Sequence, residues 1–175
     1  MFAVKASRYM THMKRLTDLE PGLERFYAAI EPLVSSPKLG PILWQLPPNF
    51  ERDEDRLANA LAILPPGRHA FEFRHRSWFT PDVLELLRAY GAALVLGDHP
   101  EYPRQPLELT ADWTFIRFHY GRRGRRGNYS ESELSEWAER LSALRAGAEL
   151  FAYFNNDWEG FAVQNALRLR ELLSG

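Results

Sequence analysis

Glu72 and Arg74 stand two residues apart in the stretch Phe71-Glu72-Phe73-Arg74-His75-Arg76-Ser77-Trp78-Phe79. In a strand, that spacing puts both charges on one face and Phe71 and Phe73 on the other. A carboxylate beside a guanidinium has two plain uses. It can be an ion pair that merely balances charge, or it can line a site in which the carboxylate moves a proton and the guanidinium holds an anion. The charges pile up at the C-terminal end of the stretch, which favours the second use. The rest of the chain repeats the pattern.

Every predicted strand ends in groups of this kind. The first gives Lys5, then Ser7 and Arg8, and the second gives Gln45. The third gives Glu72, Arg74 and His75, and the fourth gives Asp98 and His99. The fifth gives Arg117 and His119, which share a face, and the sixth gives Asn155, Asn156 and Asp157. Charges buried there without partners would be costly, so Glu72 or Asp98 is expected to neutralise Arg74 or Arg117. Divalent-metal chemistry is open to His12, His75, His99 and His119 together with Glu72, Asp98 and Asp157. No pair has the HExxH spacing, and the basic surroundings compete with a cation. The chain has no cysteine, which excludes disulfides, thiol catalysis and Cys-ligated zinc. No serine sits in a nucleophile elbow. The run Gly121 to Gly127 (GRRGRRG) lacks both the GxGxxG spacing and a terminal GK[ST], so no nucleotide fingerprint follows a strand.

The elements that must position these residues alternate. Strands are predicted over Phe2–Ala6, Pro41–Leu46, the Phe71 stretch, Ala92–Gly97, Trp113–His119 and Glu149–Phe154. Between them the spacing predicts helices over 19–33, 53–64, 81–90, 131–144 and 160–173. Thr17 or Asp18, Thr80 with Pro81, and the Ser130/Glu133 capping box provide starts. Ser7 to Arg15 reads as a basic loop, residues 100–106 as a proline-rich link and Gly121 to Asn128 as a Gly/Arg loop. Six strands alternating with helices predict parallel α/β architecture, either part of a (β/α)8 barrel or an open parallel sheet. In both, ligands collect at the C-terminal strand ends.

The whole chain of 175 residues suits one domain, with 45% hydrophobic and 26% charged residues. Net charge is −1, but half of the 22 basic residues lie in three strand-end segments. These hold Lys5, Arg8, Lys14 and Arg15; Arg74 and Arg76; and Arg117, Arg122, Arg123, Arg125 and Arg126. A positive rim over a near-neutral body suits a phosphate-bearing partner. No apolar run reaches membrane-spanning length and the N-terminus is not a signal peptide, so no membrane partner is expected and the cytoplasm is the default compartment.

The motifs KASRYMTHMKRL, KLGPILWQLPPNF, FEFRHRSWF, the Arg117-Phe118-His119 strand with its Arg-rich loop, and YFNND followed by Ala162 and Asn165-Ala166 resemble the DUF72 (YecE-like) family over essentially the whole chain. One departure is local, His119-Tyr120-Gly121 where the family has His-Gly. The resemblance implies a TIM-barrel-like fold and no established activity. Such a barrel takes about 250 residues. The resemblance therefore implies an incomplete barrel, with the six strands corresponding to strands three to eight. It also implies a truncated product or a start-site error, and self-association through unpaired strand edges.

Three functions follow as expectations. In the first, Lys5, Arg74, Arg117, Arg122 and Arg123 hold a phosphate-bearing small molecule or a nucleic acid. Glu72, Asp98 or Asp157 then acts as base or ligand, His119 as acid or ligand, and Asn155 and Asn156 orient the substrate. That extends by fold analogy to phosphodiester hydrolysis. Gln45 and His75 complete the ligand-binding set. In the second, a metal-independent enzyme acts on a sugar-like or organic-acid ligand, with Trp44, Trp78, Tyr153 and Trp158 as stacking faces and Glu72 paired with Asp98 or Asp157. In the third, the chain is a non-catalytic binding module whose charged strand ends are only an ion-pair lid.

Overall fold

The computed structural model describes residues 1–98, 105–124, 126–145 and 147–174. His99 and Arg125, singled out above, lie outside the described residues, as does most of the proline-rich link. Six strands form, β1 (Phe2–Lys5), β2 (Leu39–Gln45), β3 (His69–Glu72), β4 (Ala93–Gly97), β5 (Trp113–Phe118) and β6 (Glu149–Phe154). Six helices lie between or after them, α1 (Glu20–Ala29), α2 (Glu31–Val34), α3 (Glu54–Ile63), α4 (Pro81–Ala89), α5 (Glu131–Arg145) and α6 (Phe161–Ser174). Every strand pair is parallel, and strand order follows chain order from β1 to β6. A doubly wound sheet reverses its order at a switch point. This chain does not, so its winding is that of a (β/α)8 barrel.

The chain divides into two compact units, Met1–Leu94 and Val95–Gly175. In the first, Trp44, Phe71, Phe73 and Trp78 make a continuous aromatic stack, with ring centroids 5.8, 6.2 and 4.7 Å apart in that order. Leu57 and Leu61 of α3 and Val83, Leu84 and Leu87 of α4 are buried with them. Trp44 and Trp78 are therefore core residues and not stacking faces for a sugar. Helix α3 starts on Asp53, whose carboxylate accepts the Arg56 N–H, and α4 starts on Thr80 with Pro81 in its first turn.

Three features of this unit differ from expectation. Ser7 to Arg15 is not a loop, since Tyr9–Met13 closes one π-helical turn through the Lys14 N–H and the Tyr9 carbonyl. Thr17 and Asp18 do not cap α1, because both are spent on closing that turn. The Thr17 hydroxyl donates to the Lys14 carbonyl at 2.6 Å, and Asp18 pairs with Lys14 at 3.1 Å. The predicted helix over 19–33 also breaks at Ile30, where ψ rises to 10°. Pro32 has no N–H to give Ala28, and its ring crowds that carbonyl.

In the second unit, Phe118 of β5 and Phe154 of β6 stack at 4.3 Å, and Trp137 of α5 meets Phe118 edge-on at 5.1 Å. The Ser130/Glu133 capping box forms as read from the sequence. The Glu133 N–H donates to the Ser130 hydroxyl at 3.3 Å, and the Glu133 carboxylate accepts the Ser130 N–H at 2.9 Å. Among the described residues, no helix is long and apolar enough to cross a membrane.

Candidate functional site

In the first unit, register fixes which side chains share a face. Lys5 pairs with Leu43, Leu43 with Ala70, and Gln45 with Glu72. Paired residues of neighbouring strands point to one side, and so do residues two apart in one strand. Lys5, Gln45 and Glu72 therefore lie on one face, opposite the Trp44/Phe71 stack. Glu72 is 4% exposed, and its Oε1 accepts the Arg74 Nε–H at 2.8 Å. The pair is not a half-exposed surface bridge, because its side chains retain only 5% and 14% of their accessibility.

The π-turn brings a residue of a second kind to these charges. Its buried Thr11 bonds His12 Nδ1 through the hydroxyl at 2.9 Å. Gly22 lets α1 settle on the turn, for a Cβ there would lie 2.7 Å from the Met10 side chain. Beyond the turn, Arg15, Leu16 and Asp18 all hold positive φ (49°, 67° and 44°). π-turns and strained non-glycine backbone concentrate at functional sites. His12 is held below its ordinary value, first by burial and then by Arg8, Arg74 and Lys5, with Glu72 pulling the other way. His75 is used differently. Ser77 Oγ accepts the Arg52 N–H at 2.7 Å and gives its proton to His75 Nδ1 at 2.8 Å, which fixes the ring at the start of the 3-10 turn Arg76–Trp78.

The second unit gathers another set. Arg117 pairs in register with Gly97 and Tyr153, on the face away from Phe118 and Phe154. The Asp98 carboxylate accepts the His119 N–H at 2.8 Å and the Tyr129 hydroxyl. Burial pushes Asp98 up, and burial with the adjacent Asp98 pushes the Tyr129 phenol far up, so Tyr129 keeps its proton and donates it to Asp98. Glu133 closes the arginine loop, accepting the Arg122 N–H at 2.7 Å. Burial alone would raise its carboxyl, but bonds from Ser130 and Arg122 bring it below the ordinary value. A side chain at Gly121 would meet that carboxylate, since its Cβ would lie 2.8 Å from Oε1. The Arg122 guanidinium is held by Glu136 at 2.6 Å, Arg123 is exposed, and Arg126 lies over the exposed Trp158 ring at 4.6 Å. Asn155 and Asp157 are exposed, whereas Asn156 is buried and donates to the Gly127 carbonyl at 3.4 Å. Tyr153, named as a stacking face, lies against Phe115 at 4.7 Å.

The structure thus brings Lys5, Glu72 and Arg74 around His12 in one unit, and Asp98, His119 and Arg122 around Tyr129 and Glu133 in the other. Tyr129 escaped the sequence reading, although an aromatic between the arginine loop and a capping box was its visible signal. Arg8 and His12 stood out only as a rim charge and a weak metal ligand. Among the described residues, no group of three or more His, Cys, Asp or Glu side chains is arranged to hold a metal ion.

A family model described as "Protein of unknown function DUF72" matches residues 1–175. The chain belongs to the DUF72 family. A solved DUF72 family protein from Thermotoga maritima is 30% identical and superposes with a TM-score of 0.84, over 99% of this chain and 74% of its own length. A DUF72 family protein from Enterococcus faecalis, 23% identical, shares the fold with a TM-score of 0.78 over 91% of this chain and 67% of its own. The UPF0759 protein YunF of Bacillus subtilis is 28% identical over 98% of this chain and 72% of its own. The α/β, TIM-barrel-like class expected from the strand pattern is therefore the fold of this DUF72 chain.

Proposed function

We propose that the chain binds a phosphate-bearing ligand at the strand ends of its first unit, through Lys5, Arg8 and Arg74. The observation that carries this reading is the strand register that puts Lys5 and Gln45 on the face of buried Glu72, which holds Arg74, with Arg8 and His12 on the π-turn that follows β1. Cations that crowd one another at a strand end cost folding energy, and an anion between them removes that cost. Glu72 holds the Arg74 fork in place, and Gln45 lies beside it in register. In the second unit, exposed Arg123 and Arg126 form a basic surface of their own that suits a nucleic-acid backbone. Arg122 adds less, since Glu136 already neutralises it.

The reading is binding in preference to phosphodiester hydrolysis. Glu72 is engaged with Arg74, and the half-buried Asp98 with Tyr129 and the His119 N–H, so both carboxylates hold structural partners. The test is fluorescence anisotropy of labelled single- and double-stranded oligonucleotides at two salt concentrations, with inorganic phosphate followed by NMR on the same protein. Phosphate-induced shifts that disappear in Lys5→Ala and Arg8→Ala, and oligonucleotide affinity that falls steeply with salt, support it. Absence of both, with the fold verified by circular dichroism, overturns it.

A further inference from the structure

We infer that the second unit binds a single strand of nucleic acid, with an unpaired base stacked on Trp158 and the flanking phosphates on Arg123 and Arg126. The inference rests on the nucleic-acid reading of that surface and narrows it. The ring gives the first argument. Trp44, Trp78 and Trp113 are buried, whereas Trp158 is 48% exposed. The Arg126 guanidinium lies over its ring at 4.6 Å, and that exposure remains with the guanidinium in place. An indole left in water forgoes the apolar burial that a core tryptophan gains. Beside cations, it is the platform on which proteins stack the bases of single strands. A base on the open part of the ring would extend a stack that the guanidinium has already begun.

The loops give the second argument. Neighbouring strands β5 and β6 carry them, and bonds join one to the other. The Asn155 N–H donates to the Phe118 carbonyl at 2.7 Å, and the buried Asn156 amide donates to the Gly127 carbonyl at 3.4 Å. Within the arginine loop, the Gly127 N–H donates to the Gly124 carbonyl at 2.7 Å, and Gly127 packs so closely on Arg123 that a Cβ would have no room. On the other side, the Gly160 N–H donates to the Asp157 carbonyl at 3.2 Å, and Glu159 holds a left-handed φ of 54°. These contacts fix the ring beside the cations before any ligand arrives, which lowers the entropy lost on binding. Charge gives the third argument. Glu136 neutralises Arg122, but among the described residues no carboxylate holds Arg123 or Arg126. Asp157 and Glu159, exposed on either side of Trp158, repel phosphate. The backbone is thereby directed over the arginine loop, and a base meets the ring. A duplex keeps its base faces inside its own stack and offers the ring none along its length. An acidic peptide would meet the arginines and bring no base to Trp158.

The test is fluorescence anisotropy of a labelled single strand and of its duplex at several salt concentrations. Both are titrated with the full chain and with Trp158→Ala, Trp158→Phe, Arg123→Ala and Arg126→Ala. Trp158 is exposed, so its variants should melt close to the parent. The single strand is expected to bind about tenfold or more tightly than the duplex. Trp158→Ala should lose that preference, and Trp158→Phe should keep most of it. Arg123→Ala and Arg126→Ala should each lower the slope of log affinity against log salt by about 0.7, the share of one phosphate on a single strand. Binding should also quench tryptophan emission in the parent and leave it nearly unchanged in Trp158→Phe. Strand and duplex bound equally, or a strand preference that survives Trp158→Ala, overturns this inference and leaves the backbone reading of Arg123 and Arg126 standing. Neither bound at low salt, with the fold verified by circular dichroism, overturns the two together.

Discussion

Replacing Glu72 separates a structural ion pair from a ligand-organising one. Its carboxylate retains 5% of its accessibility and the Arg74 side chain 14%, so the pair sits in a largely desolvated place. Truncation in Glu72→Ala leaves a guanidinium buried without its 2.8 Å partner. Breaking a buried pair from one side costs about 3–5 kcal/mol. For a chain of this length that is a fall in melting temperature of roughly 6–20 °C. Glu72→Gln keeps an acceptor for the Nε–H and loses only the charge, so it should cost less, about 1–2 kcal/mol. Arg74→Ala removes the 2.8 Å partner of the buried Glu72 carboxylate and should cost as much as Glu72→Ala. The double variant leaves neither charge, so the two losses must not add, and the cycle should return a coupling of about 2 kcal/mol or more. The assay is chemical denaturation followed by tryptophan fluorescence, which the buried Trp44 and Trp78 report. The same proteins are then titrated with methyl phosphate. Glu72→Gln removes a negative charge from beside the anion, so a working site binds several-fold more tightly. An ion-pair lid with no ligand shows the stability loss and no phosphate binding in any variant. Additive single losses, each under about 1 kcal/mol, would refute the reasoning about burial itself.

Three further outcomes follow from the same geometry. Trp44 Nε1–H donates to His69 Nδ1 at 3.1 Å while His69 Nε2–H meets the Pro65 carbonyl at 2.8 Å, so a second ring proton would oppose the indole N–H. Burial lowers His69, and burial with Arg8, Arg74 and Lys5 lowers His12. The unfolded chain then binds more protons below the ordinary value of 6.5, and stability should fall as pH drops through it. His69→Phe should flatten that slope in denaturation curves taken at several pH values, at a cost of about 1–3 kcal/mol at neutral pH. Asp98 behaves oppositely. Burial raises it above 3.8, so the folded chain holds the proton longer and stability declines as pH rises above that value. Asp98→Asn should remove the decline and change stability at neutral pH by less than about 1 kcal/mol, because the Tyr129 hydroxyl and the His119 N–H keep polar partners. Ser130→Ala removes both hydroxyl contacts of the capping box and should cost about 1 kcal/mol, read from the same denaturation curves.

The strand pattern made the fold legible, because parallel strands buried on both faces are short apolar runs with punctuation that a reader can see. Face assignment was legible too. The spacing placed Glu72 on the face opposite Phe71, where the Trp44/Phe71 stack lies, but β3 stops at Glu72 and Arg74 reaches its carboxylate from beyond the strand end. What the sequence concealed was who meets whom. Burial of the Glu72–Arg74 pair depends on neighbours supplied by other strands, so composition around residue 72 could not reveal it. The arginine loop looked uncompensated because no acid lies within it, yet Glu133 and Glu136 reach it from a helix that starts after it. The π-turn left no local signature at all. KASRYMTHMKRL reads as a basic loop, and only the Lys14-to-Tyr9 bond, with Met10 against Gly22, closes it into the compact turn that carries Arg8 and His12 after β1. That is why the residue on which the proposed site turns, His12, ranked among the weaker candidates. Its chemistry comes from three cations on two strand-end segments, and spacing within one segment cannot show it.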